Sequence, residues 1–151
     1  MIHRTFVMLK PDTVQRNLVG EIISRFERRG LKIVAMKLIL MDEGTARGLY
    51  SMHEGKEFYE PLIKYVMSGP SVVCVIEGYE AIKAIRNMLG ATNPLESDAG
   101  SIRGDYGLFL RRNVVHASDS PDTAEREIDL FFKPDEIIEY KKADEDWVYE
   151  H

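Results

Sequence analysis

Strand-like and helix-like segments alternate along this chain, and that alternation restricts the fold more than any other property of the sequence. "RTFVMLK" is rich in β-forming residues and apolar on both faces through Thr5–Leu9, which suits a central strand. Pro11 of "KPD" has no amide donor and Asp12 favours a turn, so Lys10 stands where that strand ends. In "LVGEIISRFERRG", Val19, Ile22, Ile23 and Phe26 follow helical spacing, with Arg28 and Arg29 near the C-terminus and Gly30 as the cap. "LKIVAMKLILM" reads as a long strand, and residues 43–67 as helix in two pieces broken near "HEGKE". "SVVCVIEG" reads as a third strand and "YEAIKAIRNMLG" as a helix ending at Gly90. The turn-rich "ATNPLESDAGSIRGDYG" reads as a long loop, of a length usually tied to function or disorder. "LFLRR" is the expected fourth strand. Ser120 and Pro121 read as the N-cap and first residue of a helix through "DTAEREIDLFF". Pro134 is expected to open a short final helix, and the polar tail "KKADEDWVYEH" to dock on a surface.

The resulting order, β-α-β-α-(α)-β-α-loop-β-α, contains two βαβ-like halves. It predicts an α/β (α+β) ferredoxin-like sandwich, a mainly antiparallel four-stranded sheet covered by helices. The chain has 151 residues, no internal repeat and no dividing linker, so residues 1–151 are expected to form a single domain. A hydrophobic fraction of 44% with 30% charged residues fits a globular chain rather than a disordered one. The formal net charge is -5 and the basic residues are scattered, so no nucleic-acid partner is expected, although a local positive pocket remains compatible. Cys74 is the only cysteine. It excludes an internal disulfide and a thiolate-rich metal site, and reads as a small core residue. No apolar run reaches membrane-spanning length and the N-terminus carries no cleavage signal, so a cytoplasmic protein without a membrane partner is expected.

Several chemical signatures are missing. There is no G-x-x-x-x-G-K-[ST] loop, no G-x-G-x-x-G after a strand and no serine nucleophile elbow. "HEGKE" lacks the second histidine of a zinc protease, so His53 reads as a surface or turn residue, while His3 and His151 sit at the termini. That leaves His116 in "NVVHASDS". A neutral imidazole is nucleophilic at physiological pH, and its attack on a γ-phosphoryl group would give a phosphohistidine. Such a nucleophile needs one free ring nitrogen and an acceptor on the other. Glu127 is the candidate acceptor, with Ser118 nearby. The plainer reading of "SDSP" is a turn and helix cap, and local residues leave both readings open.

Phosphoryl transfer also needs positive charge on the transferring group. Lys10, Arg86 and Arg103 are candidates, with Thr92 in the same loop as Arg103. Each also has a plain reading as a surface or ion-paired residue, and spacing does not show whether they converge. Phe58 and Leu62 lie four apart on one helical face, either as core or as an apolar clamp on which a base stacks.

"NVVHASDS" resembles the active-site signature of nucleoside diphosphate kinases. "RTFVMLKPDTVQRNLVGEII", "SGPSVVCVIEG", "MLGATNPLESDAGSIRGDYG" and "DWVYE" are similar to that family in the same order, across essentially the whole chain. The resemblance implies a ferredoxin-like sandwich and a ping-pong reaction. A nucleoside triphosphate with Mg²⁺ would phosphorylate His116, and a nucleoside diphosphate would then take the phosphate. It further implies that Lys10, Arg86, Thr92 and Arg103 hold the phosphates and that Asn113 with Lys10 meets the ribose 3′-hydroxyl. Tyr50 would lie near the histidine, Phe58 and Leu62 would flank the base, and Glu127 with Ser118 would support His116. Mg²⁺ would be held mainly through nucleotide phosphates, without a protein metal site. Family members are typically homohexamers, some tetramers.

The chain departs from the family pattern at Thr13, Asn17 and Arg111, where glycine is common, and at Ala117, beside the histidine. Leu110 stands where a smaller apolar residue is common, and Glu57 and Ala99 replace frequent prolines. Asn17 adopts a left-handed conformation more easily than most residues. Two other functions compete with the kinase: a nucleotide-binding ferredoxin-like regulatory module, and a histidine phosphocarrier without nucleotide turnover.

Overall fold

The computed structural model describes residues 1–150. His151 lies outside them. The elements in chain order are β1 (Ile2–Leu9), α1 (Pro11–Gln15), α2 (Val19–Arg28), β2 (Lys32–Ile39), α3 (Glu43–Leu49), α4 (Tyr59–Val66), β3 (Ser71–Tyr79), α5 (Ala81–Leu89), α6 (Ile102–Tyr106), β4 (Val115–Ala117), α7 (Pro121–Phe131) and α8 (Glu145–Val148). Short 3₁₀ turns span Ser51–His53, Pro94–Glu96 and Pro134–Glu136.

The strands form one sheet in the order β2-β3-β1-β4, and every neighbouring pair is antiparallel. This is the four-stranded sheet of a ferredoxin-like sandwich, as the sequence predicts. β1 is central, and its side chains alternate between two cores. Phe6 and Met8 pack with Val73, Val75, Ile63 and Phe131 on one face, against α3, α4 and α7. Val7 and Leu9 pack with Cys74, Phe26, Ile85 and Ile102 on the other, against α2, α5 and α6. A strand buried on both faces needs a continuous apolar run, which is what Phe6–Leu9 supplies. Cys74 is fully buried and its thiol is pushed up by desolvation, in keeping with a core role.

Four local expectations need correction. The fourth strand is Val115–Ala117, not "LFLRR". Residues 108–112 instead form an exposed turn, in which the Arg112 amide donates to the Phe109 carbonyl at 3.0 Å. The apolar run Leu108–Leu110 mimics a strand but finds no ladder, whereas Val115–Ala117 pairs with Val7–Leu9. The stretch after Gly90 is not all loop: it contains the turn Pro94–Glu96 and the helix α6, capped by Ser101 Oγ on the Gly104 amide. β1 ends before Lys10 as expected, but the turn expected at Asp12 is the helix α1, with Pro11 as its first residue. A missing amide costs nothing in the first turn of a helix. Pro134 begins a 3₁₀ turn that is not the final helix, since α8 follows.

The tail docks as expected. Glu145 Oε1 lies 2.6 Å from Lys32 Nζ, and the Tyr140 hydroxyl donates to the Ile33 carbonyl at 2.6 Å. Ser120 caps α7 through a 3.2 Å bond from the Thr123 amide, with Pro121 at the first helical position. Among the described residues no helix is long and apolar enough to cross a membrane.

Candidate active site

His116 sits in the middle of β4, opposite Met8 of β1. The sheet therefore fixes its backbone, and α7 fixes its ring. Nε2 lies 2.9 Å from Glu127 Oε1. A carboxylate only accepts, so Nε2 carries the proton and Nδ1 keeps its lone pair. Among the described residues Nδ1 has no hydrogen-bond partner. Glu127 is 1% exposed, and its charge is shared by the Ser118 hydroxyl at 2.6 Å on Oε1 and by Arg126 Nη2 at 3.6 Å from Oε2. The acceptor role expected of Glu127 is thus realised in geometry, as is the supporting position of Ser118. The "SDSP" segment both caps α7 and holds Glu127.

Beside the histidine is a cavity of about 700 Å³, lined by Lys10, Tyr50, Phe58, Leu62, Arg86, Thr92, Arg103, Asn113, His116 and Glu127 among others. That size suits a nucleotide-scale ligand. Every candidate named from the sequence lines it except Ser118, which stands behind Glu127.

The cations converge without carboxylate partners. Among the described residues, Lys10, Arg86, Arg103 and Arg112 have no carboxylate oxygen within 4 Å. Lys10 Nζ donates to Asn113 Oδ1 at 2.6 Å, and Asn113 Nδ2 donates to the Thr92 carbonyl at 3.0 Å. Arg103 donates to the carbonyls of Asn113, Gly90 and Val115, the last at 2.7 Å. Arg86 Nη1 donates to the Ala117 carbonyl at 3.2 Å. Carbonyls orient these groups but do not neutralise them. Burial lowers the Lys10 ammonium to about 7, helped by the charge of Arg103, with Asp12 opposing. Burial, and then the charge of Arg86, lowers Arg103 to about 10. Uncompensated positive charge in a concave, partly desolvated site is an anion site by construction.

Local backbone strain aims the strand. Val114 has φ +75°, an uncommon value for a β-branched residue. Its carbonyl is held by the Lys10 amide at 2.9 Å and the Thr13 hydroxyl at 2.7 Å. Thr13 therefore has a bond that glycine would not make, and it lies in α1 with an ordinary backbone. Asn17 takes φ +60°, the left-handed conformation expected of it.

Tyr50 meets the His116 ring edge-on at 5.6 Å, and its buried hydroxyl has no hydrogen bond among the described residues. Phe58 lies just before α4 and Leu62 one turn on. Both line the cavity, and Leu62 also packs against the core. His53, read from the sequence as a surface or turn residue, is in a turn but lines the cavity, with its ring 5.0 Å from that of Phe58. The lining also includes Asp119 and Arg112, which sequence reasoning did not name, the Arg112 guanidinium lying 4.2 Å from the Tyr65 ring centroid; Arg111, noted in the sequence as a charge where glycine is common, is a neighbour of Phe58 at 5.4 Å. The "RRN" run was the available signal for the arginines. No group of three metal-ligating side chains is present among the described residues.

A family model for nucleoside diphosphate kinase matches residues 3–137. The chain belongs to the nucleoside diphosphate kinase family. A nucleoside diphosphate kinase of Archaeoglobus fulgidus is 58% identical over 149 residues, 99% of each chain. One of Methanobrevibacter smithii is 56% identical over 150 residues, covering 99% of this chain and all of the other. Among solved structures, the halophilic nucleoside diphosphate kinase of Halobacterium salinarum in complex with CDP superimposes with a TM-score of 0.97 at 44% identity, covering 99% of this chain and 100% of that one. Membership makes the chain an enzyme, a nucleotide-binding phosphotransferase of a class that generally uses a divalent metal. The regulatory-module and phosphocarrier readings are not favoured.

Proposed function

We propose that the enzyme moves the γ-phosphoryl group of ATP, or another nucleoside triphosphate, to nucleoside diphosphates in two half-reactions through a phosphohistidine on His116. The observation that carries this reading is the His116–Glu127 pair beside unneutralised cations. In the first half-reaction the Nδ1 lone pair attacks the γ-phosphorus. The bond to the β–γ bridging oxygen breaks, and the nucleoside diphosphate leaves with those electrons. The imidazole is left with a covalent bond at Nδ1 and its proton at Nε2, and the Glu127 carboxylate stabilises the resulting positive charge. In the second half-reaction a terminal phosphate oxygen of another nucleoside diphosphate attacks the phosphohistidine and regenerates the ring.

Lys10, Arg86, Thr92 and Arg103 hold the phosphates, and Asn113 with Lys10 meets the ribose 3′-hydroxyl. Tyr50 packs edge-on against the His116 ring and supports its position. Phe58 and Leu62 flank the base by stacking, which tolerates any base. Mg²⁺ fits as an ion carried by the nucleotide. The oxygens of Glu127 are engaged by His116, Ser118 and Arg126, which leaves Asp119 as the cavity carboxylate able to approach it. When bound, the ion neutralises phosphate charge during transfer.

The same proposal takes residues 1–151 as one kinase domain acting in the cytoplasm, where its nucleotide substrates are held. It assembles as a homohexamer, with a tetramer as the second form. Exposed apolar side chains along the β2 edge, Met36 and Leu38, with Leu40 just beyond, support assembly of copies. The test is a phosphoenzyme chase: mix γ-labelled ATP and Mg²⁺ with the protein, quench, then add GDP. Acid-labile label that leaves as GTP, and is absent from His116→Ala, is expected. Turnover that survives in His116→Ala overturns the assignment.

A further inference from the structure

Glu127 is held unevenly. Its Oε1 takes both close donors, His116 Nε2 at 2.9 Å and the Ser118 hydroxyl at 2.6 Å. Its Oε2 has one partner among the described residues, Arg126 Nη2 at 3.6 Å. That separation is too long for a good hydrogen bond and short enough for a charge pair. Two donors on one oxygen fix a pivot but not a plane, so the carboxylate could still swing about Oε1. A cation beside Oε2 removes that freedom.

The same guanidinium has a second hold. Arg126 Nη1 donates to the Gly48 carbonyl at 3.0 Å. Gly48 lies in the last turn of α3, where carbonyls run out of helical amides and a cation is favoured. Tyr50, the C-cap residue of that helix, is the one that meets the His116 ring edge-on. One side chain on α7 therefore ties together the two groups that hold the imidazole, Glu127 at Nε2 and Tyr50 at the ring. A rigid planar fork can serve two acceptors on different elements at once, which the single ammonium of a lysine does less well. Arg126 is not among the residues lining the cavity, and its side chain is 43% exposed. A substitution there leaves no buried hole and removes no proposed nucleotide contact.

We propose that Arg126 is a positioning residue for the nucleophile: by fixing the plane of the Glu127 carboxylate and the end of α3, it holds the His116 ring in its Nε2–H tautomer and orientation. This rests on the reading of His116 as the phosphorylated residue. A half-exposed ion pair is worth little by itself, so the effect of removing it is moderate and is read at the histidine rather than in overall stability.

The experiment compares wild type, Arg126→Gln and Arg126→Lys. Glutamine keeps a donor for the Gly48 carbonyl but no charge; lysine keeps the charge but not the fork. Phosphoenzyme formation at saturating ATP and Mg²⁺ is followed by rapid quench, and GDP affinity by calorimetry. The Nε2–H proton of His116 is followed by NMR on protein with isotope-labelled histidine, its signal identified by its absence from His116→Ala. In Arg126→Gln, phosphoenzyme formation is expected to slow about three- to tenfold while GDP affinity stays within about twofold. The Nε2–H signal is expected to broaden as its proton exchanges faster. Arg126→Lys is expected to recover part of both the rate and the signal. An Nε2–H signal unchanged in Arg126→Gln overturns the inference, whatever the rate does. A rate loss matched by an equal loss of affinity overturns it too, because it reports a distorted cavity. If no phosphoenzyme forms in the wild type while the signal still broadens in Arg126→Gln, the phosphohistidine reading fails and the positioning role stands.

Discussion

Lys10 Nζ donates to Asn113 Oδ1 across 2.6 Å, although 103 residues separate the two in sequence. Among the described residues this buried ammonium makes no ion pair with a carboxylate. Burial, reinforced by Arg103, brings it down from 10.5 to about 7. The sign for folding follows. Between pH 7 and 10.5 the unfolded chain binds more protons at this group than the folded one, so its contribution to stability rises with pH across that window. Below about 7 the charge is buried at its full cost.

For binding the sign is opposite. A nucleotide phosphate favours the charged ammonium, so binding at or above pH 7 is expected to take up a proton at Lys10. Calorimetric titration of a nucleoside diphosphate at pH 8, in two buffers of different ionisation heat, should give different apparent enthalpies. Affinity should weaken as pH rises from 7 to 9. Equal enthalpies in the two buffers would mean that Lys10 is already charged in the free enzyme.

Glu127→Gln keeps the shape of the acceptor and removes its charge. Phosphoenzyme formation is expected to slow on the order of a hundredfold, because tautomer control and charge stabilisation at Nε2 are both weakened. The proposed nucleotide contacts do not include Glu127, so equilibrium affinity for a nucleoside diphosphate should stay within about twofold. Rapid-quench labelling and calorimetry separate the two. A parallel loss of affinity would show a collapsed cavity rather than a misheld histidine.

Tyr50→Phe removes a buried hydroxyl that makes no hydrogen bond among the described residues. The variant is expected to be more stable by about 1 kcal/mol, since an unsatisfied polar group is no longer buried. That corresponds to roughly 2–4 °C in Tm for a chain of this size. Phosphoryl transfer should be unchanged, because the ring that packs on His116 is kept. A variant of lower stability or slower transfer would assign a role to the hydroxyl.

Two glycines give opposite expectations for one added methyl group. A Cβ on Gly104 would overlap the Asp98 carbonyl and press on Ser101 Oγ, so α6 would have to shift. Arg103 is the preceding residue. Gly104→Ala should cost about 2 kcal/mol and weaken nucleotide affinity as Arg103 loses its place. Gly20 lies in α2 with open space where its Cβ would be, so Gly20→Ala should stabilise by about 0.5 kcal/mol and leave affinity unchanged. Thermal melts and calorimetry on both variants check this.

What the sequence determined by itself was local. The helical spacing of Val19–Phe26, the Ser120–Pro121 cap and the doubly apolar run of β1 each state their element within a few residues, because capping and periodicity act over one or two turns. Asn17 in its left-handed turn was legible for the same reason. The likeness of "NVVHASDS" to a known signature singled out His116, though nothing local separated a nucleophile from a turn. Only the tertiary structure decided the rest. Leu108–Leu110 and Val115–Ala117 are both short apolar runs, and which one becomes β4 depends on pairing with Val7–Leu9, a contact across more than 100 residues. Lys10, Arg86 and Arg103 read separately as surface or ion-paired charges. Only folding shows that β1, α5 and α6 bring them to one cavity, with no ion-pair partner among the described residues. Arg111 was legible as a departure from a common glycine, but its place over Phe58 was not. Long-range packing sets these relationships, and neither residue's neighbours in sequence carry that information.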